Sequence, residues 1–132
     1  MVGIVIVSHS RKLAEAVVEL TAMMAPEARI TAAGGLEDGS FGTSFERIQR
    51  AVEELYSEDG VMVLMDMGSA VMTTEMVIEA LGKDKVAMAD APIVEGAVAA
   101  TVSAVGGSSL EELLEEMKEV AETKKIQGDA LR

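Results

Sequence analysis

Short, continuous runs of β-branched and other large apolar residues constrain the fold of this chain more than any other feature. The clearest are Gly3–Ser8, Val61–Met65 and Val86–Ala89, and a weaker run covers Ala28–Ala33. Runs without polar alternation are typical of strands buried on both faces of a parallel sheet. Between them, apolar residues recur at the spacing of amphipathic helices. The alternation predicts an α/β fold with a doubly wound, mostly parallel sheet of about four to five strands and helices on both faces.

The length and the helical spacing complete the predicted architecture. A chain of 132 residues fits one domain, so we assign residues 1–132 to a single domain. Helices are predicted from Ser10 to about Met24, from Thr43 or Ser44 to Leu55, from about Ala70 to Leu81, from near Pro92 to Gly106, and from Ser108 onward.

The composition excludes several classes of protein. Eleven basic and 23 acidic residues give a net charge of −12, which argues against nucleic-acid binding. The acid excess is explained equally by solubility, by a salt-loving source, or by docking of a basic partner near Glu37, Asp38 and Glu95. No stretch approaches the ~20 apolar residues of a membrane span, and no secretion signal is recognisable, so we expect a cytoplasmic protein. With no cysteine and one histidine, a transition-metal site is not expected.

Polar residues follow three of the predicted strands. His9 ends the first strand, a Gly-rich loop at residues 39–44 follows the second, and Asp66 with Gly68 and Ser69 follows the third. In the flavodoxin-like strand order, the first strand lies between the second and the third. Because ligands bind at the carboxyl ends of parallel strands, we expect these residues to form one site.

The pairing of His9 with Asp66 suggests a nucleophile. A carboxylate that accepts the Nδ1 proton leaves Nε2 bare and facing outward, which suits attack on a phosphoryl group. Backbone N–H groups at the helix starts and nearby hydroxyls would hold the phosphoryl oxygens. The predicted phosphate-binding residues are Ser10, Thr43, Ser44, Gly68 and Ser69.

Other interpretations of the same residues remain open. A lone histidine beside a helix start is often a surface or capping residue, and Thr43 and Ser44 are equally typical of N-caps. Asp66 alone would suit a receiver domain, but a receiver needs an acidic pair after the first strand, where this chain has serines on either side of His9. The glycine loops match no Walker A pattern.

Three segments together resemble a known family. GIVIVSHSRKLAEAV, GSFGTSFERI and VMVLMDMGSAVMTTEMV are similar to the mannose-type enzyme IIA family of the sugar phosphotransferase system, and within it to the DhaM group of phosphotransferase subunits. The resemblance covers nearly the whole chain. It implies a homodimer, a phosphohistidine on Nε2 of His9, and Asp66 as the residue that orients the ring. We also expect some of the methionines, Met62, Met65, Met72 and Met76, to face the partner subunit.

The resemblance also implies partners and a reaction. The carrier protein HPr donates the phosphoryl group, and ADP held on the DhaL subunit accepts it. The ATP so formed phosphorylates dihydroxyacetone bound to DhaK. No cofactor is expected in this chain, because ADP, ATP and Mg²⁺ belong to DhaL. Family members with additional HPr-like and enzyme I-like domains exist, and we expect separate proteins to supply those functions here.

Two departures and two alternatives qualify the resemblance. Met67 stands where the family has Leu, a tolerable exchange, and Thr74 stands near a position where Asn is expected, which puts a polar role there in doubt.

One alternative function is that of a IIA component of a sugar permease, for which a Gly directly after the histidine and a longer Gly-Gly-Ser turn are expected. Ser10 and the short turn at Gly68 favour the DhaM group instead. The other is a non-enzymatic regulator that signals through the phosphorylation state of His9.

Overall fold

The computed structural model describes residues 1–128, so residues 129–132 of the predicted domain lie outside the described residues. Strands and helices alternate as predicted. The strands are β1 (Gly3–Ser8), β2 (Ile30–Gly34), β3 (Val61–Met65) and β4 (Val86–Ala89), and the helices are α1 (Arg11–Thr21), α2 (Phe45–Leu55), α3 (Gly68–Leu81), α4 (Ile93–Val105) and α5 (Leu110–Glu122).

The four strands of the described chain form one parallel sheet in the order β2-β1-β3-β4. β1 lies between β2 and β3, as the flavodoxin-like order requires, so the predicted fold class is confirmed. The carboxyl ends of β1, β2 and β3 therefore lie side by side at one edge of the sheet.

Side chains alternate across the sheet and divide the core into two layers. Ile4 and Ile6 of β1 pack with residues of α1, α4 and α5. Val5 and Val7 of the same strand pack on the opposite face with residues of α2 and α3. Burial on both faces is why β1 has no polar residue before Ser8.

Some predicted boundaries differ from the observed ones. α1 ends at Thr21 rather than Met24, and the chain continues in a turn where the Met24 N–H donates to the Thr21 carbonyl at 3.1 Å. Pro26 disfavours helical backbone at Ala25, so the helix does not resume after this turn. α5 is capped by Ser109 rather than beginning at Ser108, because Ser109 and Glu112 form a capping box.

The methionines that we expected to face a partner subunit differ in burial. Met62 is fully buried in the sheet, so the expectation that it faces a partner subunit is wrong. Met72 and Met76 lie on the exposed side of α3, with 67% and 59% of their surface accessible. Within residues 1–128, no helix has the length and apolar character needed to cross a membrane.

Gly34 allows α1 to begin directly against the end of β2. A Cβ at this position would lie 2.5 Å from the Ser10 carbonyl oxygen and 2.8 Å from the Ala14 side chain. Any larger residue would push the start of α1 away from the sheet. The glycine therefore keeps His9, which precedes this helix, close to the loop that follows β2.

Candidate functional site

His9 and Asp66 meet at the carboxyl edge of the sheet. β1 and β3 are neighbours, and the Asp66 N–H donates to the Val7 carbonyl at 3.1 Å, which aligns the two strand ends. The Nδ1 atom of His9 lies 3.0 Å from Oδ1 of Asp66. The predicted proximity of these two side chains is therefore observed.

Hydrogen-bond donors surround the Asp66 carboxylate. Its Oδ2 accepts from the Ser8 hydroxyl at 2.9 Å and from the His9 backbone N–H at 3.0 Å, and its Oδ1 accepts from the Met67 N–H at 2.8 Å. Burial raises the pKa of Asp66, but the hydrogen bonds from the His9 backbone, the His9 ring and Ser8 outweigh it and hold the pKa below its ordinary value. Asp66 is thus an ionised acceptor at neutral pH.

The charge on Asp66 sets the tautomer of His9. A carboxylate can only accept, so Nδ1 carries the ring proton and Nε2 presents a lone pair. Nε2 is not bare, as the sequence had suggested, because the Ser69 hydroxyl lies in hydrogen-bonding contact with it. The hydroxyl donates and the ring nitrogen accepts. About a quarter of the His9 side chain, 24%, is exposed.

Ser8 is a site residue that the sequence analysis missed. It is fully buried, donates to Asp66, and accepts a hydrogen bond from the Ser10 N–H at 2.9 Å. One hydroxyl thereby links the carboxylate to the start of α1. The only signal in the sequence is a polar residue that ends an otherwise apolar strand, next to the histidine.

The start of α3 offers free backbone donors beside Nε2. Its N-cap, Met67, makes no side-chain cap hydrogen bond, and within residues 1–128 the N–H groups of Gly68 and Ser69 have no acceptor. Space is open at Gly68, where an added Cβ would meet no atom within 4 Å. Two of the predicted phosphate-binding residues therefore contribute N–H groups without an acceptor at a helix N-terminus.

Two other predicted phosphate-binding hydroxyls serve as helix caps. The Ser10 hydroxyl accepts from the Leu13 N–H at 3.1 Å, and the Ser44 hydroxyl accepts from the Arg47 N–H at 3.2 Å. The capping interpretation that the sequence left open for Ser44 thus describes its hydroxyl in this structure, and Ser10 caps α1 in the same way without having been predicted to do so.

Thr43 reaches the site through another threonine. Its hydroxyl lies 3.1 Å from that of Thr73, which donates to the Ser69 carbonyl at 3.0 Å. The adjacent Gly42 N–H donates to the His9 carbonyl at 2.9 Å. These bonds join the loop after β2 to both halves of the site.

Arg11 also contacts the loop after β2, through hydrogen bonds of its guanidinium. Its guanidinium donates to the carbonyls of Leu36 and Glu37 at 2.9 and 3.2 Å. Among the described residues, no group of three or more His, Cys, Asp or Glu side chains is placed to hold a metal ion. What the described site brings together is a ring nitrogen that presents a lone pair, a hydroxyl and backbone N–H groups without an acceptor.

The chain belongs to the EIIA-man family, whose description is PTS system fructose IIA component and whose model matches residues 3–124. Among curated relatives, the PEP-dependent dihydroxyacetone kinase phosphoryl donor subunit DhaM of Escherichia coli (strain K12) is 38% identical over 134 residues. That alignment covers 96% of this chain but 28% of the relative. The PTS-dependent dihydroxyacetone kinase phosphotransferase subunit DhaM of Lactococcus lactis is 36% identical, with 89% of this chain and 94% of that protein covered.

Solved structures support the same fold. A crystal structure of a protein of unknown function superposes with a TM-score of 0.81 and 28% identity, covering 96% of this chain and 100% of that one. The mannose/sorbose specific IIA subunit of the phosphotransferase system from Enterococcus faecalis has a TM-score of 0.65 at 20% identity, covering 99% and 98%. At that identity the second likeness concerns the fold alone.

Proposed function

We propose that this protein is a phosphocarrier that accepts a phosphoryl group from HPr on Nε2 of His9 and passes it to ADP held by DhaL. The ATP formed there would phosphorylate dihydroxyacetone on DhaK. The observation that carries the proposal is the contact of Nδ1 with the ionised Asp66, which leaves a lone pair on Nε2 beside free N–H donors. The curated relatives, described as phosphoryl donor subunits of dihydroxyacetone kinase, support the choice of acceptor.

The proposed transfer needs no proton movement at Nε2. The lone pair of Nε2 attacks phosphorus, the bond from phosphorus to the donor histidine breaks, and the Nε2–P bond forms. Ser69 must first turn its hydroxyl from Nε2, after which it donates to a phosphoryl oxygen. The free N–H groups of Gly68 and Ser69 add donors where charge accumulates. Asp66 keeps the proton on Nδ1 and offsets the positive charge of the phosphorylated ring.

We also propose a two-fold symmetric homodimer. Met72 and Met76, both exposed, give α3 an apolar side that a second copy would cover. Sedimentation equilibrium at micromolar concentration tests this: a dimer is expected, and a monomer would contradict it. Because the dimer and the phosphotransfer are measured separately, either proposal can fail alone.

A reconstitution tests the proposed function. Enzyme I, HPr and phosphoenolpyruvate should place an acid-labile, base-stable phosphate on the wild-type protein, and none on His9→Ala. Ser109→Ala, which removes an exposed capping hydroxyl of α5, should be labelled like the wild type. Adding DhaL with ADP, DhaK and dihydroxyacetone should then discharge the label to product.

Two outcomes would contradict parts of the proposal. Undiminished labelling of His9→Ala would show that His9 is not the phosphorylated residue. A labelled protein that discharges to the IIB component of a sugar permease, but not through DhaL, would leave the phosphohistidine intact and replace the proposed acceptor.

A further inference from the structure

Ser69, His9 and Asp66 form a chain of three side chains joined by hydrogen bonds. The Ser69 hydroxyl contacts Nε2 of His9, and Nδ1 of the same ring lies 3.0 Å from the Asp66 carboxylate. The carboxylate is itself fixed by Ser8 and by backbone N–H groups. A hydroxyl, an imidazole as its base and a carboxylate that orients the base are the three parts of a catalytic triad, which is recognised by geometry and not by order along the chain.

From this geometry we propose that Ser69 is an activated nucleophile and a covalent modification site for small phosphoryl and acyl electrophiles whenever His9 is unphosphorylated. The tautomer of His9 is the one a general base requires, because Nε2 accepts the hydrogen bond of the Ser69 hydroxyl. This reactivity goes beyond the carrier function, in which Ser69 serves only as a donor.

The surroundings of Ser69 suit an electrophile with a developing negative charge. Its side chain is exposed, and open space lies next to it at Gly68. The N–H groups of Gly68 and Ser69 have no acceptor within the described residues, so they are free to bind an oxyanion. Ser109 provides a comparison within the same chain. It also stands at a helix N-terminus, but its hydroxyl accepts from the Glu112 N–H and, among the described residues, contacts no imidazole.

The covalent step is balanced with a phosphorofluoridate as the electrophile. Oγ of Ser69 attacks phosphorus, the P–F bond breaks, and fluoride leaves. The hydroxyl proton passes to Nε2 of His9 and from there to solvent. The product is a phosphotriester on Ser69, which is stable to acid, unlike a phosphoramidate on His9. When Nε2 already carries a phosphoryl group, no base is available and Ser69 should be inert.

The test is labelling of the intact, unphosphorylated protein with diisopropyl fluorophosphate, with the modified residue mapped by peptide mass spectrometry. We expect an acid-stable adduct on Ser69 and none on Ser109. Ser69→Ala should carry no adduct at this site. His9→Ala should lower the labelling rate at Ser69 by about 100-fold or more, the contribution typical of a general base. Asp66→Asn, which keeps the ring but disturbs its tautomer, should also slow it, with folding of both variants checked by circular dichroism.

Other results would overturn the proposal. Labelling of Ser69 no faster than of Ser109, or undiminished in His9→Ala, would show that the hydroxyl is not activated. An acid-labile adduct that persists in Ser69→Ala would show that His9 is the nucleophile toward this reagent. The reaction needs neither HPr nor DhaL, so its failure is separate from a failure of the proposed carrier function.

Discussion

The two oxygens of the Asp66 carboxylate accept hydrogen bonds from different donors. Oδ2 accepts from the Ser8 hydroxyl and the His9 backbone N–H at the end of β1, and Oδ1 accepts from the His9 ring and from the Met67 N–H in the turn into α3. Asp66→Asn replaces one acceptor by an NH₂ group that would point toward Nδ1 and favour the opposite tautomer. In a serine protease triad this change costs about 10⁴ in rate, and we expect a smaller loss, because positioning supplies much of phosphoryl transfer. Rapid-quench measurement of transfer from phospho-HPr checks this.

Asp59→Asn is the matched control for that variant. Asp59 pairs with the N-terminal amine at the opposite end of the sheet, so its substitution should leave the transfer rate unchanged. A wild-type transfer rate for Asp66→Asn would show that Asp66 does not contribute to phosphoryl transfer.

The lowered pKa of Asp66 predicts a defined pH dependence of stability. The unfolded chain takes up the proton more readily, so the ionised form stabilises the fold above about pH 4, the ordinary range of Asp. This contribution should fade as the pH falls through the lowered pKa of the folded state. Urea unfolding of the wild type and Asp66→Asn should therefore show a difference at pH 7 that shrinks in acid. A difference independent of pH would contradict the assignment.

Ser8 should act on the chemistry through Asp66. Ser8→Ala removes a donor from the carboxylate, so we expect the pKa of Asp66 to rise and the transfer rate to fall, with recovery in Ser8→Thr. Thr101→Val is the control, because it deletes another buried hydroxyl that bonds only within α4. NMR titration of the Asp66 carboxyl checks the prediction: an unchanged pKa in Ser8→Ala would reduce Ser8 to a structural role.

The sequence predicted the meeting of His9 and Asp66 because two continuous apolar runs had to lie side by side in a parallel sheet. It did not predict the contact of Ser69 with Nε2, because the direction of an exposed hydroxyl depends on local geometry that spacing does not encode. Ser8 was missed for a different reason. It ends a strand whose other residues belong to the core, and a polar residue in that position does not by itself show that its hydroxyl contacts a residue of the site.

At the scale of elements, β2 was the hardest strand to place. Ile30–Gly34 is only partly buried at its beginning and rich in alanine, and the predicted start at Ala28 was therefore too early. The start of α3 at Gly68 also came earlier than expected. Glycine and serine are poor helix formers, and tertiary contacts of the turn with His9 outweigh that preference.

α3 contains a buried hydroxyl, on Thr74, that makes no hydrogen bond to the backbone of its own helix. Thr74 is fully buried, and within the described chain its hydroxyl has no hydrogen-bond partner. Leaving a buried hydroxyl unpaired costs about 1–3 kcal/mol, so the nearly isosteric Thr74→Val should raise the free energy of unfolding by about 1 kcal/mol. The polar role that the family pattern put in doubt at this position is thus expected to be absent.

Thr101→Val should shift stability in the opposite direction. The Thr101 hydroxyl is equally buried but donates to the Ala97 carbonyl at 2.9 Å, so the substitution should cost about 0.5–1.5 kcal/mol. Urea denaturation of both variants gives the comparison. If Thr74→Val loses as much stability as Thr101→Val, the Thr74 hydroxyl must have a partner in solution.

At the scale of the whole molecule, the net charge is −12. The carboxylates that we expected to dock a basic partner near the site nevertheless have ion-pair or hydrogen-bond partners within the chain. Glu37 pairs with Arg50, and Glu95 pairs with Lys125 at 2.6 Å. Asp38 accepts from the Ser40 side chain and N–H, which lower its pKa. Glu111 and Glu119 of α5 are exposed carboxylates that form none of these ion pairs within residues 1–128.

This distribution allows local steering to be separated from net charge. If carboxylates beside His9 attract a basic carrier, raising the salt concentration to about 0.5 M should slow transfer several-fold, because the screening length falls well below ~10 Å. Lys at both Glu37 and Asp38 should reproduce that loss. Lys at both Glu111 and Glu119 changes the net charge equally on α5 and should have little effect.

The measurement is the second-order rate constant of phosphoryl transfer from phospho-HPr. Equal losses in the two variants would assign the effect to net charge, and a rate insensitive to salt and to both variants would leave the acid excess without a part in docking.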